Sequence, residues 1–234
     1  MRVARCHFTP TQRIDALSQS ALLRLMMFLS PSFPIGAFAY SSGLEQAAAD
    51  GQVRDATQLD GWLAAQMKSG SPWNDAVLLV AAHKASIDAV DLKDIADLAS
   101  ALAGSQERHM ETINLGGAFM EAVNASGLPS PALPGGVAYP VAVGAIAAAN
   151  NIDPEPAAAA FLHGYASNQI QCGIRLGMLG QNGGVALLAR LEPLIAEMAA
   201  KAAQSTLDDV GANTINADIA AMRHETLTSR IFRT

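Results

Sequence analysis

An all-α fold, a single-domain bundle of roughly eight to ten helices, is predicted for this 234-residue chain by three observations. Apolar residues recur at three- and four-residue spacing over most of its length, which places them on one face of a helix. No stretch alternates with period two for long, and β-branched residues are sparse while alanine abounds. Half of the residues are hydrophobic against 15% charged, and no charge run or low-complexity linker divides the chain, so one sizeable core is expected. No repeat of roughly 30 to 45 residues is visible, which argues against a solenoid.

The elements follow in order. Residues 17–29 carry apolar side chains at helical spacing, and Pro31 ends them, because the residue before a proline avoids the helical basin. Residues 41–49 resume as helix, with Gly51 as the stop. Asp55 stands where it can cap a helix through Lys68, with Leu59, Trp62 and Leu63 a turn apart. Ser71-Pro72 is a capped start with proline in the first turn, where its missing N–H is no loss. That helix is expected to run to about Ser86, and further helices over residues 92–103 and 106–124. Between Glu121 and Asp153 there is no charged residue, a length that could span a bilayer. Pro129, Pro131, Pro134, Gly135, Gly136 and Pro140 break it, so it reads as a loop leading into a buried helix over residues 139–150. Asp153-Pro154 opens a helix toward Gly177, the glycines of GQNGG at 180–184 punctuate, and residues 185–203 form a last helix kinked at Pro193. The organisation expected is a flexible tail over residues 1–20, a helical scaffold over 21–221 and a terminal docking segment over 222–234.

Charge and cysteine content narrow the function classes. The net charge of −6 excludes a nucleic-acid surface, which needs clustered Lys and Arg to displace counterions from phosphates. Cys6 and Cys172 form no spaced framework, so a disulfide scaffold is not expected and a reducing, cytoplasmic setting is. The start carries Arg2, Arg5 and Arg13 ahead of Asp15 but no small-residue cleavage site. It reads as a frayed tail rather than a signal peptide or a mitochondrial presequence, and no membrane association is expected.

Motif searches return no catalytic constellation. There is no GxxxxGK[ST] loop, no GxGxxG after a strand and no GxSxG elbow. HETLT at 224–228 places threonine where the second zinc ligand of HExxH must lie. Cys6-His7 is an isolated ligand pair, and His83, His109, His163 and His224 are scattered singly. The chain is therefore expected to be no enzyme and to hold no cofactor or tightly bound metal.

Three stretches carry more than a bundle needs. In SPSFPIGAFAYSSGLE, residues 30–45, Phe33 and Ile35 read as core plugs, Gly36 and Gly43 as bends, and Tyr40, Ser41, Ser42 and Glu45 as a patch for another protein. Residues 167–184 align Asn168, Gln171 and Arg175 on one helix face, either a satisfied buried network or a binding face. The terminus MRHETLTSRIFRT concentrates Arg223, His224, Arg230 and Arg233 around Ile231 and Phe232 in an acidic protein, the composition of a docking peptide.

These stretches resemble the signature of the urease accessory protein F family. LLRLMMFLSPSFPIGAFAYSSGLE resembles its apolar helix, serine-proline turn and P-x-G-A-F-x-Y-S core ending in G-L-E. SQERHMETINLGGAF is similar to its S-x-E-x-R segment, IRLGMLGQNGG to its R-L-x-P-L-G-Q segment, and MRHETLTSRIFRT to its R-H-E-x-x-x-x-R-L-F-R-S ending. The matches occur in family order from about Ala21 to Thr234; Met178 stands in place of the usual proline, and Cys172-Gly173 replace small residues. The resemblance implies a homodimeric, non-enzymatic scaffold that bridges a second accessory protein of the D/H type and a nickel-carrying GTPase of the G type during activation of apo-urease. Phe33, Gly36, Tyr40, Ser41, Gly43 and Glu45 would then form a partner or dimer element, Arg175 and Gln181 a polar internal or interfacial one, and Arg223, His224, Glu225, Arg230, Phe232 and Arg233 the docking segment. For Arg175 both an arginine finger toward the GTPase and a buried polar network stay open. The rival reading is a helical ligand-binding regulatory module, with Arg175 and Asn168 gripping an anion.

Overall fold

A computed structural model describes residues 18–87 and 92–234; Cys6, His7 and the remainder of residues 1–17 lie outside the described residues. Among the described residues, ten α-helices and two short 3₁₀ helices make up the regular structure and no strand occurs. Helix α1 spans Gln19–Phe28, begun by Ser18, whose hydroxyl accepts from the Ala21 amide, so helix already starts inside the stretch expected as tail. Helix α2 is Leu44–Ala49, shorter than expected because Ser42 and Gly43 take left-handed backbone with φ of 50° and 83°. Helix α3, Ala56–Ser69, starts at the expected cap, Asp55 accepting from the amides of Thr57 and Gln58 at 2.9 Å each.

The centre is built by α4, Ser71–Ile87, and α7, Tyr139–Ala149. They pack on each other more extensively than any other pair. Both bury side chains around most of their circumference, as expected of helices without a polar face. Gly144 permits the approach: a Cβ there would stand 2.1 Å from the Leu79 carbonyl oxygen. Helix α5, Lys93–Ala101, and helix α6, Gln106–Ser126, flank this pair. Gly116 of α6 lies equally tight on the Val137 carbonyl oxygen. No helix of the described residues is long and apolar enough to cross a membrane. The uncharged segment folds as the end of α6, a loop and one buried helix, α7.

Helix α8, Pro154–Arg175, and helix α9, Gln181–Gln204, form the second large hairpin. The 180–184 glycine cluster does not interrupt helix but begins it: Gly184 is buried, and a Cβ there would meet Ile170 and Ile174 at 3.0 Å. Its glycines serve close packing of α9 on α8. Helix α9 continues through Pro193. Helix α10, Ile215–His224, is not foreseen by the sequence reading, since only Ala217, Ala220 and His224 of it are buried and its apolar stripe is short. The expected scaffold and docking-segment boundary at 221/222 falls within it.

Candidate functional site

The polypeptide between α1 and α2 turns over the ends of α6 and α8. Phe33 packs edge-on to Phe28 at 6.0 Å and against Phe119 at 5.5 Å, which anchors the turn in the core as a plug. Gly36 has φ 74° and no atom within 4 Å of a would-be Cβ, so glycine is required there for backbone conformation and not for space. It starts a 3₁₀ turn, Ala37–Ala39, that leaves Phe38 69% exposed. Helix α8 holds the carbonyls of this turn with residues one helical turn apart. Arg175 Nη1 donates to Phe38 O at 2.8 Å, Asn168 Nδ2 to Tyr40 O at 3.1 Å, and Cys172 Sγ to the same oxygen at 3.4 Å. Burial, against the pull of Arg175 and helped by Glu111 and Glu45, pushes the Cys172 thiol up to about 12, so it serves here as a weak donor rather than a nucleophile.

The C-terminal segment closes over this turn. The Arg233 amide donates to Ala39 O at 2.8 Å and the Ser41 amide to Thr234 O at 2.9 Å; the Ser41 hydroxyl donates to the same Thr234 oxygen. Glu45, only 6% exposed, accepts from the amides of Ile231 at 2.7 Å and Phe232 at 3.0 Å. His224 is fully buried, with Nε2 3.1 Å from Glu45 Oε2 and Nδ1 2.7 Å from Glu107 Oε2. Arg230 reaches the other Glu107 oxygen at 2.5 Å. Glu111 accepts from Ser42 Oγ at 3.2 Å and Thr234 Oγ1 at 3.1 Å. Phe232 is buried beneath the Arg175 guanidinium, 4.1 Å from the ring centre. At the rim Arg223 pairs with Asp50 at 2.8 Å, and Glu225 accepts from the Gln106 amide at 2.8 Å, satisfying one free N–H at the start of α6. Gly43 lets α2 cross α10 closely: a Cβ there would lie 2.9 Å from the Ala221 amide nitrogen.

Beside this clasp sits a second charged group, Asp75 and Arg108 at 2.5 Å with Glu111 3.6 Å from Arg108. Burial pushes both carboxyls above their ordinary values, against the pull of Arg108. For Arg108 burial disfavours the charge, but Asp75 and Glu111 outweigh it and the net direction is upward.

Of the residues selected by sequence, Phe33, Gly36, Tyr40, Ser41, Gly43, Glu45, Arg175, Arg223, His224, Glu225, Arg230, Phe232 and Arg233 fall in or against this one assembly. Two expectations are corrected. Tyr40, Ser41 and Glu45 are buried, Ser41 and Glu45 against the C-terminal segment and Tyr40 with its carbonyl held by α8, and so form no open patch. Arg175 is exposed, not buried in a polar network, and uses its head group on Phe38 O and the Phe232 ring. Gln171 is exposed on the same helix, and Gln181 is exposed in the first turn of α9 with no hydrogen bond to the clasp. The sequence reading omitted Glu107, Glu111 and Thr234 from the site. A signal existed: two acids four residues apart in a charge-poor chain share one helix face. Among the described residues no group of three or more His, Cys, Asp or Glu side chains could hold a metal ion.

The UreF family model matches residues 53–192. The chain is 56% identical over 216 residues to the urease accessory protein UreF of Rhizobium etli, covering 91% of this chain and 96% of that one. It is 52% identical over 217 residues to the urease accessory protein UreF of Agrobacterium fabrum, with 92% and 96% covered. To the urease accessory protein UreF 1 of Brucella canis it is 50% identical over 217 residues, with 92% and 94% covered.

Proposed function

The chain belongs to the urease accessory protein UreF family, and from that premise we propose that it is a non-enzymatic scaffold. It bridges a second urease accessory protein and the nickel-carrying accessory GTPase, and so modulates GTP hydrolysis and nickel delivery into apo-urease. The observation that supports this reading most is the clasp. Four segments far apart in sequence spend their polar groups on one another, and none is left as a nucleophile paired with a base. A site built this way fixes surface shape and presents side chains such as Phe38 and Ile231, 69% and 56% exposed, to a macromolecule.

The scaffold acts by differential affinity. If it binds one nucleotide state of the GTPase better than another, hydrolysis shifts the complex by the ratio of those affinities and by no more. Arg175 contributes through the clasp, by holding Phe38 O and Phe232, and is not an arginine finger. Arg175→Ala is expected to weaken complex formation while leaving GTP hydrolysis per assembled complex within about twofold; a loss of about 10³ at full assembly would establish the finger instead. The complex is cytoplasmic and forms on a homodimer of this chain, with no resident cofactor in the chain. Co-purification with apo-urease and the other accessory proteins, with and without residues 222–234, tests the proposal. Association is expected to fail on truncation at unchanged helicity, and undiminished association would overturn it.

A further inference from the structure

Under the roof formed by residues 29–38 lies a cavity of about 240 Å³, bounded by the first turn of α4, by α6 and by α8. Its volume exceeds the roughly 150 Å³ of an apolar cavity that admits benzene. The aromatic residues Phe33, Tyr139 and Phe161 line it. Asp75, Arg108, Glu111 and Gln169 line it as well and supply polar groups. Gln169 is 1% exposed, and neither its amide oxygen nor its amide nitrogen has a hydrogen-bond partner. An unsatisfied carboxamide so deeply buried is costly, and one that borders a cavity is placed to be satisfied by an occupant.

Charge selects the occupant. Asp75 and Glu111 set two carboxyls against the single guanidinium of Arg108; burial raises both carboxyls, and a further cation in the cavity would favour their charged form. The oxygens of Glu111 already accept from Ser42 and Thr234, while Asp75, which lines the cavity, engages Arg108 through Oδ2. His163, on the exposed side of α8, is the remaining titratable group among the lining side chains apart from Tyr139 and Tyr165. An excess of carboxyls in a low-dielectric site favours a cation, and ring faces favour the same sign. The anion grip considered for Arg175 and Asn168 does not assemble, because Arg175 is not in the wall and the Asn168 amide is engaged on Tyr40 O.

We propose that this cavity is a binding site for a compact organic cation carrying a flat apolar body, an amidinium or primary ammonium on a single ring. The cationic N–H groups meet the Asp75 carboxylate and the Gln169 carbonyl, and the ring lies among Phe33, Tyr139 and Phe161. The proposal does not rest on the scaffold reading above.

Titration of the full chain with benzamidine, followed by calorimetry and ligand-observed NMR, tests it, with benzoate and benzamide as the anionic and neutral matches in shape. Benzamidine is expected to saturate a single site, with both controls weaker by about tenfold or more. Gln169→Leu is expected to weaken benzamidine about tenfold and at the same time raise Tm, since it removes two unpartnered buried polar atoms. Asp75→Asn is expected to weaken it similarly. Should that variant lose helicity because Arg108 keeps only its longer pairing with Glu111, Ser167→Trp, which fills the cavity from a half-buried lining position, replaces it with the same expected loss. Absence of saturation below about 10 mM, benzoate or benzamide binding as tightly as benzamidine, or affinity indifferent to Gln169→Leu would each overturn the proposal.

Discussion

At the scale of single residues, Glu45 is the joint on which the clasp turns. Its buried carboxylate accepts from two backbone amides of the C-terminal segment and faces His224 Nε2. Glu45→Ala strands these donors, and each unsatisfied buried donor costs about 1–3 kcal/mol. A destabilisation of about 3 kcal/mol is expected in chemical denaturation, with fast amide exchange at Ile231 and Phe232; slow exchange there in the variant would contradict the assignment. His83 makes the clearest pH prediction. It is 4% exposed, Nε2–H donates to Ile152 O at 2.8 Å, and buried Nδ1 has no partner. Burial therefore lowers its pKa below the ordinary 6.5. The unfolded chain then binds the extra proton first, so the stability that neutral His83 contributes is full above pH 6.5 and is lost as pH falls through the lowered value. Asp75 and Glu111, raised by burial, contribute with the opposite sign as pH falls toward the ordinary carboxylate range. The difference in unfolding free energy between the wild type and His83→Gln isolates the histidine: it is expected to shrink from pH 7 to pH 5, and a constant difference would refute it.

At the scale of elements, backbone approach without side chains sets the core. Gly144→Ala drives a methyl group into the Leu79 carbonyl, where only a shift of α7 against α4 can relieve it. A loss of about 1–3 kcal/mol is expected by thermal unfolding, although alanine is the better helix former; a stabilised variant would show that the two helices are not in that contact. Local rules made most helix boundaries readable: Asp55 as cap, Pro72 and Pro154 in first turns, and proline and glycine through 129–136. They failed at 180–184 and at α10. Glycine carries two meanings, chain reversal and close packing, and spacing along one chain does not tell them apart. Helix α10 exists because α2 and α6 offer it partners, Glu45 and Glu107 for His224 above all, and such contacts lie about 120 to 180 positions away in sequence.

At the scale of the whole molecule, the bundle is a frame that brings the 38–45 turn, the start of α6, the end of α8 and the last residues of the chain to one place. The sequence revealed that these stretches were unusual, because polar and aromatic residues stood where a core needs none. It did not reveal that they meet each other, since a buried salt link and an open docking patch use the same residue types. This is why Tyr40, Ser41 and Glu45 read as a patch and are instead buried, with Ser41 bonded to Thr234 and Glu45 to Phe232. The clasp, formed within one chain, is the surface proposed here for recognition by the other urease maturation proteins. Quantitative co-purification of the Glu45→Ala chain with apo-urease and its accessory proteins tests that claim most directly, with helicity monitored in parallel. If the clasp is that surface, the complex is lost by about tenfold or more at preserved helicity; complex formation equal to wild type with the C-terminal segment released would show that it is not.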